Sequence, residues 1–279
     1  MAGGALGGLI ISLFRRGSGK TKIILVIGVL IACFAFKINP LSMLGLTSSG
    51  GSRVVQTNGP PADPKVKHYL ATMKADNEDI WKKILPRYNL TYRASKMVIY
   101  TERTDTGAGI ADARMGPFYL PSREEIYIDP SFFDQLKTEF GAKGDFAEAY
   151  VIAHEVSHHI QKIMGKSDWL HRQQGRVSKT AYNQSSVRLE LHADFLAGVF
   201  AHHGQEKFKF LERGDIEEAM KCAEAIGDDR IQKKSQGRVQ PDLFTHGTSA
   251  QRKRWFMRGY KTGDLRQGEP LFTMPYEDL

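Results

Sequence analysis

The sequence predicts an α+β domain in which helices dominate, preceded by one N-terminal membrane helix. Three patterns in the 279 residues support this prediction. Apolar residues recur at helical spacing before Pro86 and again after Pro130. Two short runs rich in β-branched and aromatic residues, 97–100 and 126–128, lie between these regions and predict a small sheet. A run of 14 apolar residues, 23–36, predicts the membrane helix.

The composition places the chain among globular proteins. Hydrophobic residues make up 41% and charged residues 25% of the sequence, which excludes disordered, collagen-like and polytopic membrane proteins. The net charge of +8 would suit a nucleic-acid partner, but residues 1–37 alone contribute +5, from five basic and no acidic residues. The rest of the chain carries only +3, and we predict no nucleic-acid partner. The two cysteines, Cys33 and Cys222, are too few for a thiolate zinc site.

The first 64 residues are predicted to divide into three parts. Residues 1–22 form a basic leader, 23–38 a transmembrane helix, and 39–64 a flexible linker rich in glycine, serine and proline. Four basic residues precede the apolar run and Lys37 alone follows it closely, so the positive-inside rule places the leader in the cytoplasm. We therefore expect a single-pass membrane protein whose folded body lies on the extracytoplasmic side.

Two other interpretations of the apolar run stay open. Its length also suits the apolar part of a secretory signal peptide, although residues 33–35 (Cys-Phe-Ala) form a poor cleavage site. Residues 30–33 (Leu-Ile-Ala-Cys) loosely resemble the lipid-attachment motif of bacterial lipoproteins. Retention, cleavage and lipidation of this segment are therefore alternatives.

The folded body is predicted to span residues 65–264, with 265–279 as a C-terminal tail. Apolar residues at helical spacing predict one or two helices that end before Pro86, because proline cannot continue a helix. Asp145 and Glu148 match the D-x-x-E pattern of a capping box, which predicts the start of a further helix.

The remaining helices are predicted from the same signals. They span residues 146–164, 186–203 and 249–258. Gly165 ends the first of these helices, and Ser249 is the expected N-cap of the last, after a turn at Gly247.

The helix over 146–164 carries an H-E-x-x-H motif formed by His154, Glu155 and His158. Histidines four residues apart project from one helix face about one turn apart, so their imidazoles can bind one metal ion. Glu155 follows the first histidine directly, where its carboxylate can reach a water molecule without binding the metal. The motif predicts that His154 and His158 bind zinc and that Glu155 is the catalytic base of a hydrolase.

A third metal ligand is expected on the helix over 186–203. Glu190 follows the motif at a distance that allows an antiparallel return of the chain, and Asp194 lies one turn further on the same face. Asp194 is expected to accept a hydrogen bond from the outer nitrogen of a ligand histidine and so to orient its ring. The metzincin arrangement is excluded, because Gln161 and Met164 stand where that pattern requires glycine and histidine. A site with two histidines and one glutamate, of the gluzincin kind, remains.

A polar segment near the C-terminus, 245–252, offers one further candidate. A peptidase requires a donor directed at the oxygen that becomes negatively charged as the tetrahedral intermediate forms, and His246 is the candidate. The equally supported structural interpretation is that this segment only caps the helix over 249–258.

A purely structural interpretation also exists for the motif itself. His154 and His158 could be hydrogen-bonded core histidines, with Glu190 and Asp194 on a solvated helix face. For the other histidines of the two helices we favour a surface or supporting role over metal binding. These are His159, His192, His202 and His203.

Several stretches of the chain match one family in pattern. They are 116–119, 126–129, 144–158, 186–191 with 193–194, 227–229, and 244–252 with 254–256. On these residues, which cover most of 78–263, the sequence resembles the bacterial "putative neutral zinc metallopeptidase" family. The resemblance implies a zincin-like metallopeptidase domain, a Zn²⁺ cofactor and an N-terminal membrane segment. Together with the positive-inside rule, it predicts a place in the bacterial inner membrane with the domain in the periplasm.

The sequence thus favours a membrane-anchored zinc metallopeptidase acting on a peptide or protein substrate. An extended substrate is expected to pair with the edge of the small sheet near residues 116–119. The alternative is a membrane-tethered zinc-binding scaffold, or pseudoprotease, that cleaves nothing. The presence of Glu155 favours the enzyme, because a purely structural zinc site usually fills its fourth position with another protein ligand.

Overall fold

The computed structural model describes residues 62–138 and 144–279. The predicted leader (1–22), the predicted transmembrane helix (23–38) and residues 39–61 of the predicted linker lie outside the described residues. Among the helices that are described, none combines the length and the apolar character needed to cross a membrane.

The described chain is dominated by helices and contains five short strands, which confirms the α+β class. The helices are α1 (Pro64–Ile84), α2 (Ser131–Thr138), α3 (Asp145–Ile163), α4 (Lys166–Gln173), α5 (Lys179–Phe208), α6 (Asp215–Ala225), α7 (Asp228–Gln236) and α8 (Ser249–Thr262). The strands are β1 (Lys96–Ile99), β2 (Arg103–Asp105), β3 (Ile110–Asp112), β4 (Phe118–Leu120) and β5 (Glu125–Ile128).

The small sheet has the strand order β1-β5-β4, and β2 and β3 form a separate hairpin. β1 runs parallel to β5 and β4 runs antiparallel to it, with Tyr127 opposite both Val98 and Phe118. All four residues of the central strand β5 are buried, whereas β4 is an edge strand. The sheet is joined to α3 through the hydroxyl of Tyr119, which lies 2.9 Å from Nδ1 of His159.

Helix α1 ends before Pro86, as the sequence predicts. The side chain of Asp63 accepts a hydrogen bond from the backbone N–H of Lys65 and caps its start. The α-helix ends at Ile84 and tightens into a 3₁₀ turn, Leu85–Tyr88, around Pro86. Its buried face packs into the core.

The predicted capping box at the start of α3 is wrong. Gly144 is the N-cap, and Asp145 is already the first helical residue. Gly144 has a φ of 124°, which favours glycine, and a Cβ there would lie 1.8 Å from a carboxylate oxygen of Glu218, which would have to move. Glu148 instead forms an ion pair with Lys137, at 2.6 Å.

Helix α5 is the centre of the fold and extends beyond the predicted span at both ends. Ser178 caps it, with its Oγ accepting from the N–H of Ala181 at 3.2 Å. Its first turns have little apolar periodicity and are held by polar contacts instead. The amide of Asn183 donates to the carbonyl of Asp242 at 2.9 Å, and Ser185 Oγ donates to Gln173 Oε1 at 2.8 Å.

Helix α8 packs along α5 at unusually close range. A Cβ on Gly198 would lie 2.0 Å from the carbonyl oxygen of Phe256, and a Cβ on Gly259 would lie 1.9 Å from that of Phe195. Asp194 contacts Arg252, and His202, further along α5, contacts Tyr260 further along α8, so the two helices run in the same direction. Glycine at both positions therefore lets the two backbones touch.

The expected N-cap of α8 is also corrected by the structure. Thr248, not Ser249, is the N-cap, and it forms a reciprocal capping box with Gln251. The hydroxyl of Ser249 donates instead to the carbonyl of Glu224 at 2.8 Å. The helix continues to Thr262, one turn past the predicted end.

The residues set apart as a C-terminal tail, 265–279, pack against the body. A 3₁₀ helix, Leu265–Phe272, contacts α5 and α8, and Leu265, Leu271 and the terminal Leu279 are buried. This segment therefore contributes to the core.

We predict that Gly259→Ala destabilises the protein through the contact of α5 with α8. The added methyl group must displace the backbone of α5, so we expect the free energy of unfolding to fall by about 3 kcal/mol. Urea denaturation of the full chain measures this change. Lys261→Ala, at an exposed position of the same helix, should change it by less than about 0.5 kcal/mol. Equal stability of the two variants would contradict the close packing.

Candidate metal centre

Three side chains from two helices converge on one point. His154 and His158 come from α3 and Glu190 from α5. Nε2 of His154 lies 3.2 Å from Oε2 of Glu190, and Nε2 of His158 lies 3.6 Å from Oε1 of the same carboxylate. The two imidazole rings are perpendicular to each other, with their centroids 4.8 Å apart. The structure therefore brings together all three predicted metal ligands.

The spacing of these atoms fits a zinc ion. Zinc binds nitrogen and oxygen at about 2.0–2.2 Å, so two ligands at adjacent corners of a tetrahedron lie about 3.4 Å apart. The two nitrogen–oxygen distances lie on either side of that value. Two imidazoles and one carboxylate are also a donor set typical of zinc. The residues present therefore fit the ion.

In each of the two ligand histidines, a hydrogen bond to Nδ1 fixes the ring so that Nε2 faces the centre. Nδ1 of His154 lies 2.9 Å from Oδ1 of Asp194, and Nδ1 of His158 lies 2.9 Å from Oε1 of Gln161. Both partner oxygens can only accept, so each Nδ1 carries a hydrogen. Each Nε2 is thereby directed at Glu190. Asp194 lies where the sequence predicts it, whereas Gln161 was not predicted in this role.

A buried arginine holds Asp194 in place. The guanidinium of Arg252 donates two hydrogen bonds to the carboxylate, at 2.8 and 2.9 Å, and the hydroxyl of Tyr150 donates a further one. Burial alone would raise the pKa of Asp194, but the charges of Arg252 and His154 lower it to about 2. Asp194 is therefore ionised at any pH at which the protein is expected to function.

The electrostatics of the ligands favour a cation. Burial would raise the pKa of Glu190, but the surrounding imidazoles of His158, His246 and His154 hold it below its usual range. Burial would lower the pKa of His154, but Asp194 and Glu190 raise it to about 10. A metal ion that binds here must therefore displace a proton from His154, and its affinity must fall as the pH falls.

Gln161 connects the second histidine to α5. Its Nε2 donates to the carbonyl of Leu189 at 2.6 Å, which leaves Oε1 facing His158. The same Nε2 lies 3.3 Å from Nδ1 of His192, which is fully buried and whose pKa burial lowers to about 3. His192 therefore supports the site as a neutral ring and does not bind the metal.

Glu155 lies beside the ligands without joining them. Among the described residues, its carboxylate has no hydrogen-bond partner. Burial raises its pKa, although the imidazoles of His158 and His154 oppose the increase. A buried carboxylate whose pKa is raised is a better proton acceptor than an ordinary glutamate.

His246 reaches the same site from the loop before α8. Oδ2 of Asp228 accepts hydrogen bonds from three consecutive backbone N–H groups, those of Thr245, His246 and Gly247, at 2.6–3.0 Å. Nδ1 of His246 lies 3.1 Å from Oγ1 of Thr245 and 3.5 Å from Oδ1 of Asp228. Burial lowers the pKa of His246, but Glu190 and Asp228 raise it. The loop thus brings a histidine with a raised pKa close to Glu190.

The other histidines lie outside the ligand set. His159 is fully buried and lies between the hydroxyl of Tyr119 and the carbonyl of Arg93, which supports the sheet. His202 and His203 are half-buried at the far end of α5. None of them approaches the three ligands.

Two residues that sequence reasoning missed orient the ligands. Gln161 lies three positions after His158 and therefore on the same helix face. Arg252 shares a face with Trp255, Phe256 and Gly259, at spacings of three, four and seven residues, and all four are buried. A charge on an apolar helix face is the signal that could have identified Arg252.

Comparisons with known proteins find a matching family model and uncharacterised relatives. A family model described as "Putative neutral zinc metallopeptidase" matches residues 1–271. The uncharacterised protein YpfJ of Escherichia coli K12 is 43% identical over 254 residues, 91% of this chain and 88% of the relative. The uncharacterised protein Rv2575 of Mycobacterium tuberculosis is 40% identical over 197 residues, 66% of this chain and 64% of the relative. No solved structure matches.

We predict that Asp194→Asn weakens both metal binding and folding. The asparagine still accepts from His154 but leaves the buried charge of Arg252 uncompensated, which should lower the free energy of unfolding by about 3 kcal/mol. Loss of the carboxylate behind a ligand histidine should reduce zinc affinity about 10- to 100-fold. Urea denaturation of the metal-free protein and competition with a chelator measure the two effects.

The matched control is Asp168→Asn. Asp168 is exposed and pairs with Lys162 at 2.7 Å, and such surface pairs contribute about 0–1 kcal/mol. Similar zinc affinity in both variants would show that Asp194 does not orient His154.

Proposed function

Because the chain belongs to the family described as putative neutral zinc metallopeptidases, we propose that it is a zinc-dependent peptidase whose centre is formed by His154, His158 and Glu190. The observation that carries the proposal is the position of Glu155. Three protein side chains form the ligand set. The carboxylate of Glu155 lies beside them but forms no hydrogen bond with any of the three. A structural zinc site usually has four protein ligands, whereas a catalytic site has three and keeps one position for water or substrate.

The proposed reaction is hydrolysis of a peptide bond by water. The chemistry that zinc supplies, when bound, is that of a Lewis acid, which lowers the pKa of water and polarises a carbonyl group. Glu155 accepts the proton of the attacking water and then passes it to the leaving amine. Its raised pKa supports both steps, because a carboxyl group that is protonated more easily than usual is a better proton acceptor and still releases the proton afterwards.

His246 is proposed to donate to the substrate carbonyl oxygen as negative charge develops there. The two oxygens next to its Nδ1 leave Nε2 as the nitrogen that can face a substrate. The raised pKa favours the protonated ring, in which Nε2 is a donor. The three N–H groups that hold Asp228 also limit movement of the loop. A donor that is positioned before the reaction stabilises the transition state most effectively.

The edge strand β4 is the proposed docking place for an extended substrate. Its outer side has no neighbouring strand among the described residues. Tyr119 on this strand contacts His159, which directly follows the metal ligand His158. A peptide that added to β4 as a further strand would therefore lie beside α3, the helix that carries the motif.

The location of the enzyme is proposed from sequence alone. Residues 23–38 would anchor the chain in the inner membrane, with the peptidase domain in the periplasm. The apolar run and the basic leader before it support this proposal.

We predict that Glu155→Gln abolishes hydrolysis and leaves zinc binding intact. The amide keeps the shape of the side chain but cannot accept the proton, so kcat/KM should fall by about 1000-fold or more. Casein and a broad peptide library are suitable substrates for the full chain in detergent, and bound zinc is measured by mass spectrometry of the metal.

Glu217→Gln, at an exposed position on α6, is the control and should match the wild type. Hydrolysis by Glu155→Gln at the wild-type rate would exclude Glu155 as the base. If the wild type and Glu155→Gln bind zinc alike and neither cleaves any substrate, the non-catalytic scaffold is the correct interpretation.

We predict that His246→Gln lowers kcat by about 100-fold and changes KM little, because the lost donor acts mainly in the transition state. Steady-state kinetics on one peptide substrate separate the two constants. His171→Gln removes an exposed histidine of α4 and should have no effect. A change in KM alone would assign His246 to substrate binding instead.

A further inference from the structure

A second group of metal-ligating side chains lies near the C-terminal end of α5. His202, His203 and Glu206 each direct one ligand atom to a common point, and these atoms lie within 4.8 Å of one another. His202 is three helical turns beyond Glu190, so the group lies about 18 Å from the first centre along the helix axis. It shares no residue with that centre.

The end of α8 determines which nitrogen of each ring is free. Nδ1 of His202 lies 2.7 Å from the carbonyl oxygen of Tyr260, and Nε2 of His203 lies 2.8 Å from that of Gly263. A carbonyl oxygen can only accept, so both of these nitrogens carry a hydrogen. The contact of Gly263 with His202 is close, because a Cβ on this glycine would lie 2.3 Å from the ring.

The two remaining nitrogens face a carboxylate. Nε2 of His202 lies 3.6 Å from Oε1 of Glu206, and Nδ1 of His203 lies 3.0 Å from Oε2. In the neutral rings both of these nitrogens are acceptors, and a carboxylate is an acceptor as well. Three groups with lone pairs therefore point at one another, which is favourable only with a positive species between them. Added protons on both rings or one metal ion would satisfy this requirement.

Capping of the end of α8 by His202 and His203 does not explain why their other nitrogens face Glu206. The last carbonyl groups of a helix need donors from outside it, and the histidines supply two. That role uses only one nitrogen of each ring. The other two nitrogens and the carboxylate remain for a ligand.

The surroundings suit a metal ion. The side chains of His202 and His203 are 27% and 16% exposed and that of Glu206 is 65% exposed, so an ion can enter from solvent. The C-terminal ends of α5 and α8 meet here, and helix C-termini attract positive charge. Two imidazoles and one carboxylate are ligands that zinc prefers.

We propose that Nε2 of His202, Nδ1 of His203 and the carboxylate of Glu206 bind a second divalent metal ion of the zinc class. This ion would link α5 to the end of α8, because His202 also contacts the carbonyl of Tyr260 on α8 and His203 that of Gly263, which directly follows α8. Of these two helices, α5 also carries Glu190 and Asp194, and α8 carries Arg252. The second ion would thus stabilise the frame of the first centre without contacting a substrate.

The test is metal stoichiometry of the full, tag-free chain dialysed against buffered zinc. The wild type should hold two zinc ions per chain. Glu206→Ala should hold one, because loss of one of three ligands should weaken the second site by about tenfold or more. Glu212→Ala, at another exposed glutamate beyond α5, is the matched control and should hold two.

The His158→Ala variant separates this proposal from the proposed function. It should lose the first ion and keep the second, and adding Glu206→Ala to it should remove the remaining zinc. If His158→Ala changes nothing while Glu206→Ala removes one ion, the catalytic centre is wrong and the second site stands. A single zinc per chain in the wild type, unaffected by Glu206→Ala, would overturn the second site.

Nitrogen NMR of the histidine rings gives an independent readout. Without metal, His202 should carry its hydrogen on Nδ1 and His203 on Nε2, and added zinc should shift the resonances of His202 Nε2 and His203 Nδ1. Unchanged resonances at saturating zinc would mean that protons alone occupy the space, which overturns the proposal.

Discussion

The charge pair between Asp194 and Arg252 is the interaction on which the rest of the structure depends. Both side chains are fully buried, and a carboxylate removed from water is costly unless a partner and hydrogen bonds compensate it. Arg252 on α8 and Tyr150 and His154 on α3 supply that compensation. The carboxylate of Asp194 thus joins α5 to both α8 and α3. The orientation of a metal ligand and the packing of three helices are fixed by the same contacts.

Helix α5 unites the functional parts because it lies in the middle of the fold. It carries Glu190 and Asp194 near its centre and two further histidines near its end. Its close contact with α8 at Gly198 and Gly259 leaves little freedom for one helix to slide past the other. Arg252 on α8 therefore keeps a fixed separation from Asp194 on α5, the carboxylate that orients the ligand histidine His154.

The helical class, the small sheet and the H-E-x-x-H motif follow from local patterns, so the sequence predicts them well. Periodicity and Pro86 predict the end of α1, and the four-residue spacing of His154 and His158 predicts their shared face. Local patterns do not predict contacts between segments that are distant in the sequence. Only the fold brings Glu218 beside Gly144 and sets the positive φ that favours glycine at the start of α3. The orienting role of Arg252 likewise depends on α8 lying against α5, which no local pattern specifies.

Strand β4 has only three residues, which limits how it could select a substrate. An edge of three residues exposes few outward N–H and C=O groups, because alternate residues of a strand direct theirs to opposite sides. Main-chain pairing alone would hold a peptide weakly, so discrimination among cleavable sequences must come from side-chain fit. The same brevity gives two molecules little surface on which to join their sheets, which protects the protein against aggregation through this edge.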